Sequence, residues 1–467
     1  MSHQDLHQII DRMRQAHIQE GQPSAELRID RLERAKKLLL EHKDELLAAI
    51  NSDFGHRNSF QGLASDVLAS VALLDDAKSQ LVDWMKSEVV SNPFEGMHTE
   101  IQYQPLGVVG IISPWNFPLN LAFGPLSGVF AAGNRALLKP SELTPNTSDL
   151  LAKLVPQYFD ENELQVITGD ASVGAAFSGL AFDHLIFTGS TQVGKHVMRA
   201  AAENLVPVTL ELGGKSPVVL SENFDLKTAV ERVLTVKTFN AGQICISPDY
   251  VMMPEQFNAQ FIEYAHAFAK DYYSSSFFNN DDFTSIISDR HFDRLMHLLE
   301  DAQAKGATLV TLGDEQATSD RAKRKIVPTL VFGVNDSMLI MQEEIFGPLL
   351  PIKNTTSVDE AIAYINAHPR PLAAYYFDDT EQAQKHFAEK TISGGLVIND
   401  VMTHVLIDTL PFGGVGAAGM GAYHGIHGFR RFSHAKAVVV QSQSGESNVK
   451  LRAPYAEKFA ATQAMLK

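Results

Sequence analysis

The residue best suited to covalent chemistry is Cys245, the single cysteine of the 467-residue chain, set in Phe239-Asn240-Ala241-Gly242-Gln243-Ile244-Cys245-Ile246-Ser247. A lone thiol is ordinarily a small buried hydrophobe. Here its surroundings argue for reactivity. Residues 226–239 read as an amphipathic helix, so Cys245 falls near a helix–loop junction. Gly242 allows φ > 0 or a close backbone approach to a ligand. A backbone N–H exposed in such a loop binds an oxyanion. A nucleophile so placed needs a partner base, a polar oxyanion donor and a cofactor cradle from the rest of the chain.

Several stretches offer them. Ser113-Pro114-Trp115-Asn116-Phe117-Pro118 ends an apolar run, and its two prolines stiffen the loop. The Asn116 amide, held in a stiff loop, suits an oxyanion donor, or it caps the following helix. Glu211-Leu212-Gly213-Gly214-Lys215 also follows a strand. The little bulk around its carboxylate leaves room for a water, as a general base requires; a structural salt bridge is the competing reading. Lys139-Pro140-Ser141-Glu142 places a lysine and a carboxylate where ribose hydroxyls bind, or in a solvated turn. Thr188-Gly189-Ser190-Thr191-Gln192-Val193-Gly194 opens a helix whose N-terminal N–H groups attract phosphate, although it is not the G-x-G-x-x-G pattern and also reads as a structural βα turn. Gln342-Glu343-Glu344-Ile345-Phe346-Gly347-Pro348 offers a carboxylate for a ribose and an aromatic ring to brace a planar one. The chain contains no paired cysteines, no H-E-x-x-H and no G-x-S-x-G, which argues against a metal site and a serine hydrolase.

The elements that must position these groups alternate. Two amphipathic helical stretches, 24–51 and 63–86, come first. Turn signals at Asn92-Pro93 and Glu95-Gly96 make 88–104 a hairpin or an extended arm. Leu106–Ile112 reads as a strand buried on both faces. There follow helix 119–132, strand 136–139, helix 147–158, strands 164–168 and 184–188, helix 191–203 and strand 206–210. A second alternation begins after Gly213-Gly214, with helices at 226–239, 256–270, 291–304, 358–367 and 380–389 and strands at 308–311, 349–352 and 372–376. The pattern predicts α/β architecture with two parallel sheets covered on both faces, ligands lying beyond the strands' carboxyl ends.

Composition narrows the partners. Hydrophobic content of 45% and charged content of 20% suit a globular chain of two or three domains. A net charge of −16 disfavours nucleic acid and anionic membranes without excluding a phosphate held by backbone N–H groups. One cysteine, a polar N-terminus and no long apolar run predict a cytoplasmic protein without disulfides.

Taken together and in this order, Pro114–Pro118, Lys139–Glu142, Phe187–Ser190, Glu211–Lys215, Gly242–Cys245, Glu344–Pro348 and Pro411-Phe412-Gly413-Gly414-Val415-Gly416 resemble the aldehyde dehydrogenase superfamily, over residues from about 24 to about 440. The short N-terminus and Gly421-Ala422-Tyr423-His424-Gly425 resemble its class-three branch, and 111–121 is similar to the coniferyl aldehyde dehydrogenase subgroup. The resemblance implies two doubly wound parallel-sheet domains plus a small bridging β-ribbon that makes a homodimer. An NAD(P)-binding domain would take 1–87 and 104–211, a catalytic domain 212–393, the bridging element 88–103 and 394–440, and a tail 441–467. It further implies oxidation of an aldehyde, aromatic by the subgroup likeness or else medium-chain aliphatic. Cys245 would be the nucleophile, Glu211 the base and Asn116 the oxyanion donor. Lys139, Glu142 and Glu344 would hold ribose units and Gly189 with Ser190 the pyrophosphate; Phe346 would pack near the nicotinamide ribose, with Trp115, Gly194 and Leu212 also in the cofactor site. Glu142 would favour NAD, with NADP tolerated. Glu211 argues against transfer of the acyl group to coenzyme A, and Cys245 with Glu211 against a non-catalytic relative. One departure is Ala418 before Gly419, where the family usually has serine; a hydrogen bond in a dimer-side loop would be missing.

Overall fold

Val108–Ile112 is apolar and almost wholly buried because it is the centre of a sheet with helices on both faces. The computed structural model describes residues 3–445 and 447–466; Met1, Ser2, Glu446 and Lys467, and with them the ends of the N-terminal segment and of the tail, lie outside the described residues. The first sheet has the order Gly419–Met420, Val208–Leu212, His184–Gly189, Val108–Ile112, Arg135–Lys139, Leu164–Val166; all neighbours are parallel except the first pair. Asn120–Ala131, buried along its length, packs on this sheet and receives Ala25–Glu41 and Ala69–Trp84 on its outer side.

The second sheet has the order Thr308–Thr311, Thr329–Phe332, Leu349–Asn354, Tyr250–Met253, Pro217–Leu220, Ala373–Phe377, Gly395–Ile398, parallel apart from its first pair. An antiparallel ribbon of Glu88–Val89, His98–Pro105 and Ser433–Val440 stands apart from both sheets. The fold is α/β with two parallel-sheet units and an antiparallel ribbon. Among the described residues no helix is long and apolar enough to cross a membrane.

Several expectations need correction. The stretch 24–51 is two helices, Ala25–Glu41 and Lys43–Phe54, broken at His42. Residues 63–86 begin with a π-helical turn, Leu63–Leu68. The strand expected at 206–210 is Val208–Leu212, so Glu211 and Leu212 lie within the sheet instead of after it. Gly395–Ile398 is an edge strand of the second sheet and Gly419–Met420 an edge strand of the first, so of 394–440 only Ser433–Val440 joins the ribbon. Ala418 is buried immediately before the strand that pairs with Glu211, far from being part of the ribbon strands. The tail carries an exposed helix, Ala456–Met465.

Candidate active site

The loop bearing Cys245 is built by backbone conformations that few residues tolerate. Helix Leu226–Thr238 ends, and Asn240, Ala241 and Gly242 then take φ of 50°, 51° and 71°. Asparagine and glycine accept the left-handed region readily; alanine does so only when its surroundings hold it. A Cβ on Gly242 would lie 2.4 Å from the Gly347 carbonyl oxygen, so glycine alone lets these two loops meet. The buried Gln243 amide donates to the Asn240 and Ser285 carbonyls (2.9 and 3.1 Å) and accepts the Ile287 N–H (3.0 Å). Cys245 is half-buried. Burial, and then the Glu344 and Glu211 carboxylates, push its thiol up to about 12, against the opposing influence of the Cys245 and Ile246 N–H groups.

Asn116 comes to this loop from the first sheet. It is buried, and its Nδ2 donates to the Gln243 carbonyl at 3.1 Å. Its own carbonyl accepts from Arg57 Nη1 (2.9 Å) and Asn240 Nδ2 (3.2 Å). Glu211 is buried within Val208–Leu212, opposite Gly419 in register, and neither carboxylate oxygen has a hydrogen-bond partner. Burial raises its pKa well above the usual carboxylate range, with Arg431 opposing. A carboxyl with a raised pKa and two unpartnered oxygens holds a proton more strongly than a free one does, so in its ionised form it is a stronger base.

Glu344 approaches from the second sheet. Burial, and then Asp249, push its carboxyl up to about 8; the Gly214 N–H opposes this. A Cβ on Gly213 would fall 2.1 Å from Glu344 Oε2, so the Gly213-Gly214 pair is what admits this side chain. The backbone around it is tied down: Lys215 Nζ donates to the Ile340 and Glu343 carbonyls (2.7 and 2.9 Å) and Arg294 to the Glu344 carbonyl (3.0 Å). Phe346, at φ 51°, meets Trp115 edge-on with ring centroids 5.4 Å apart.

These side chains share one cavity of about 980 Å³, whose walls include Trp115, Asn116, Gly189, Ser190, Glu211, Leu212, Cys245, Glu344 and Phe346. Three expected residues are not in its walls. Lys139 is buried and donates to Glu142 (3.1 Å) and to the Pro140 carbonyl (3.1 Å), so the pair closes on itself. Gly194 packs against Leu212, where a Cβ would lie 2.6 Å from Cδ2. The cavity suits a dinucleotide. Ser190 caps Thr191–Ala202 at one end, and Ser190, Thr191 and Gln192 bring that helix's N-terminus to the wall. Glu344 supplies a buried carboxylate oxygen without a partner, as a ribose hydroxyl requires. Among the described residues, no group of three or more His, Cys, Asp or Glu is placed to hold a metal ion.

Arg57, Asp66 and Asn240 were not legible as parts of this site. Arg57, in the short connection between Lys43–Phe54 and Ser59–Gly62, and Asp66, on the π-helical turn, lie some fifty residues before Asn116 in stretches with no chemical motif, and only the fold brings them beneath it.

The profile of the aldehyde dehydrogenase family matches residues 1–438. The chain is 55% identical over 455 residues to the coniferyl aldehyde dehydrogenase of a Pseudomonas species, covering 97% of this chain and 94% of that protein. It is 40% identical to the dimeric NADP-preferring aldehyde dehydrogenase of Rattus norvegicus, covering 92% and 93% respectively. The substrate-bound AldH of Staphylococcus aureus superposes with a TM-score of 0.92 at 37% identity, over 98% of this chain and 99% of that one. The cavity with its thiol, buried amide and buried carboxylate therefore sits in a chain that belongs to the aldehyde dehydrogenase family, NAD(P)-using enzymes that oxidise aldehydes.

Proposed function

We propose that the protein oxidises an aromatic aldehyde of the coniferyl type to its acid, with NAD as the preferred cofactor and Cys245 as the nucleophile. The observation that carries this reading is the meeting of Cys245, Asn116 and Glu211 in one cavity from three separate elements. Cys245 gives up its thiol proton through water and attacks the aldehyde carbon as a thiolate. The Asn116 side chain and the Cys245 N–H hold the oxyanion that forms. Bound dinucleotide supplies the acceptor for the hydride that leaves this carbon. Glu211 then takes a proton from water, which hydrolyses the thioester on Cys245 and frees the acid. Gly189, Ser190 and Glu344 would hold the cofactor in the cavity, with Lys139 and Glu142 at its margin and Trp115, Leu212 and Phe346 along its wall; Gly194 keeps the phosphate-side helix close to Leu212.

The aromatic preference is supported by the Pseudomonas relative's name and by a cavity walled also by Leu121 and Phe412. Glu142, if it turns from Lys139 to a ribose, would favour a free 2′-hydroxyl, hence NAD. A homodimer is proposed from the rat relative, named as dimeric, and from the exposed Val89, Val90, Val439 and Val440 on the ribbon. The single thiol fits a cytoplasmic location. The division into an NAD(P)-binding unit, a catalytic unit and a bridging ribbon stands as the organisation proposed with it.

An absorbance screen of NAD(P)H formation with coniferyl aldehyde, benzaldehyde and medium-chain alkanals, with Cys245→Ser as the blank, tests the reading. It predicts the highest kcat/KM for coniferyl aldehyde with NAD and none for the variant. Alkanals favoured over both aromatic aldehydes would overturn the substrate assignment.

A further inference from the structure

Beneath Asn116 lies a buried ion pair. Arg57 Nη2 is 3.0 Å from Asp66 Oδ2, and the two side chains are 1% and 0% exposed. A buried pair of this kind is weak evidence for stability, because stripping water from both charges offsets much of their attraction. Its placement points to another use. Arg57 Nη1 donates to the Asn116 carbonyl at 2.9 Å. Asp66 Oδ1 accepts the Leu119 and Asn120 N–H groups at 3.0 and 3.3 Å. One member of the pair therefore grips the loop at Asn116 and the other grips it just beyond Pro118.

The loop needs such a grip. Pro114 and Pro118 have no N–H to tie it to a neighbouring strand. At its start Ser113 N–H reaches the Lys139 carbonyl (3.1 Å), and the Asn116 carbonyl is held by side chains, Arg57 and Asn240. The guanidinium is also fixed from its faces: its carbon lies 5.0 Å from the ring centroids of both Phe54 and Phe117, the latter adjacent to Asn116. Arg57 Nη2 donates to Ser65 Oγ (3.2 Å), on the same π-helical turn that presents Asp66. A π turn inside a helix often marks a functional position. An oxyanion donor acts only if it is aimed before charge develops, and a shift of about 1 Å can lower a rate about a hundredfold.

We propose that Arg57, locked by Asp66, is a positioning residue for the reaction: it sets the Asn116 peptide so that the side-chain amide stays aimed beside Cys245. The inference rests on the reading of Asn116 as oxyanion donor. Arg57 does not line the cavity, so its effect belongs in the chemical step and not in cofactor binding.

The test is a double-mutant cycle on the full chain, read as the single-turnover rate of NAD(P)H formation at saturating aldehyde and cofactor, with melting temperature and cofactor affinity measured alongside. Arg57→Lys keeps the charge facing Asp66 and loses the fork that spans to the Asn116 carbonyl. It should lower the rate about ten- to a hundredfold in the wild-type background, with cofactor affinity unchanged. Against Asn116→Ala it should change the rate less than about twofold, because the donor it aims is gone. An equal loss in both backgrounds, or no loss in the wild type, overturns the inference. An Asn116→Ala rate equal to wild type overturns the oxyanion assignment, and the inference with it, and is told apart because Arg57 is then not involved. If Arg57→Lys does not accumulate folded, Asp66→Asn, isosteric and still able to accept from Leu119 and Asn120, reads the same coupling from the other member of the pair.

Discussion

The thiol of Cys245 is held protonated by burial and by two carboxylates, Glu344 and Glu211, while two backbone N–H groups pull the other way. Its reactivity is thus adjustable by whatever happens to those carboxylates. At pH 9, where Glu344 is ionised, Glu344→Gln removes the larger of the two carboxylate repulsions and exposes more thiolate. Iodoacetamide should therefore alkylate Cys245 severalfold faster in this variant than in wild type, assayed without added cofactor; an unchanged rate would mean that Glu344 does not set the thiol's acidity. Three residues of this cavity stand out before the fold is known. Cys245 is the single thiol, Glu211 is followed two residues on by a glycine pair, and Asn116 lies between prolines, so residue type and neighbours were enough to mark all three. Arg57 and Asp66 could not be marked that way. Their roles come from contacts across fifty residues of chain or more, and nothing in the local sequence separates a solvated arginine from one held against Phe54 and Phe117.

At the scale of elements, the site depends on where strands and helices stop. Glu211 lies within its strand, so its direction is fixed by sheet pairing with Gly419 and not by a flexible turn. The loop bearing Cys245 turns out of its helix through three successive left-handed residues. Gly242→Ala would put a Cβ into the Gly347 carbonyl at a φ that alanine rarely adopts. It should destabilise the protein by about 1–3 kcal/mol and lower turnover at least tenfold, measured by chemical denaturation and steady-state assay; wild-type turnover would show that the loop adapts. Strands with strong apolar runs, such as Val108–Ile112 and Leu349–Asn354, were recognisable in advance. Pro217–Leu220, Tyr250–Met253, Thr329–Phe332 and Gly395–Ile398 were not: each spans only four residues, and buried on both faces or at an edge they show no alternation to read. The resemblance puts Gly395–Ile398 in the bridging element, whereas sheet pairing with Ala373–Phe377 decides its place.

For the whole molecule, buried carboxylates make stability depend on pH. Glu344, at about 8, and Glu211, higher than the usual range, hold protons in the folded chain that an unfolded carboxylate would release above about pH 4.5. The folded state then binds more protons than the unfolded one, so stability falls as pH rises from about 4.5 towards 8. Buried His184 and His424 and half-buried His291 and His404 have lowered pKa values and act in the opposite sense, but only below about 6.5. Between pH 7 and 8 the melting temperature of wild type should thus fall relative to that of Glu344→Gln, which cannot ionise. A parallel pair of curves would mean that Glu344 is not buried as described.

The most direct test of the account uses Glu211→Gln with coniferyl aldehyde and NAD. If Cys245 is the nucleophile and Glu211 the base for hydrolysis, one equivalent of NADH should form rapidly per active chain, steady turnover should fall by orders of magnitude, and mass spectrometry of the quenched protein should find the acyl group on the peptide containing Cys245. Steady turnover at the wild-type rate, or an acyl group on any other residue, would contradict it.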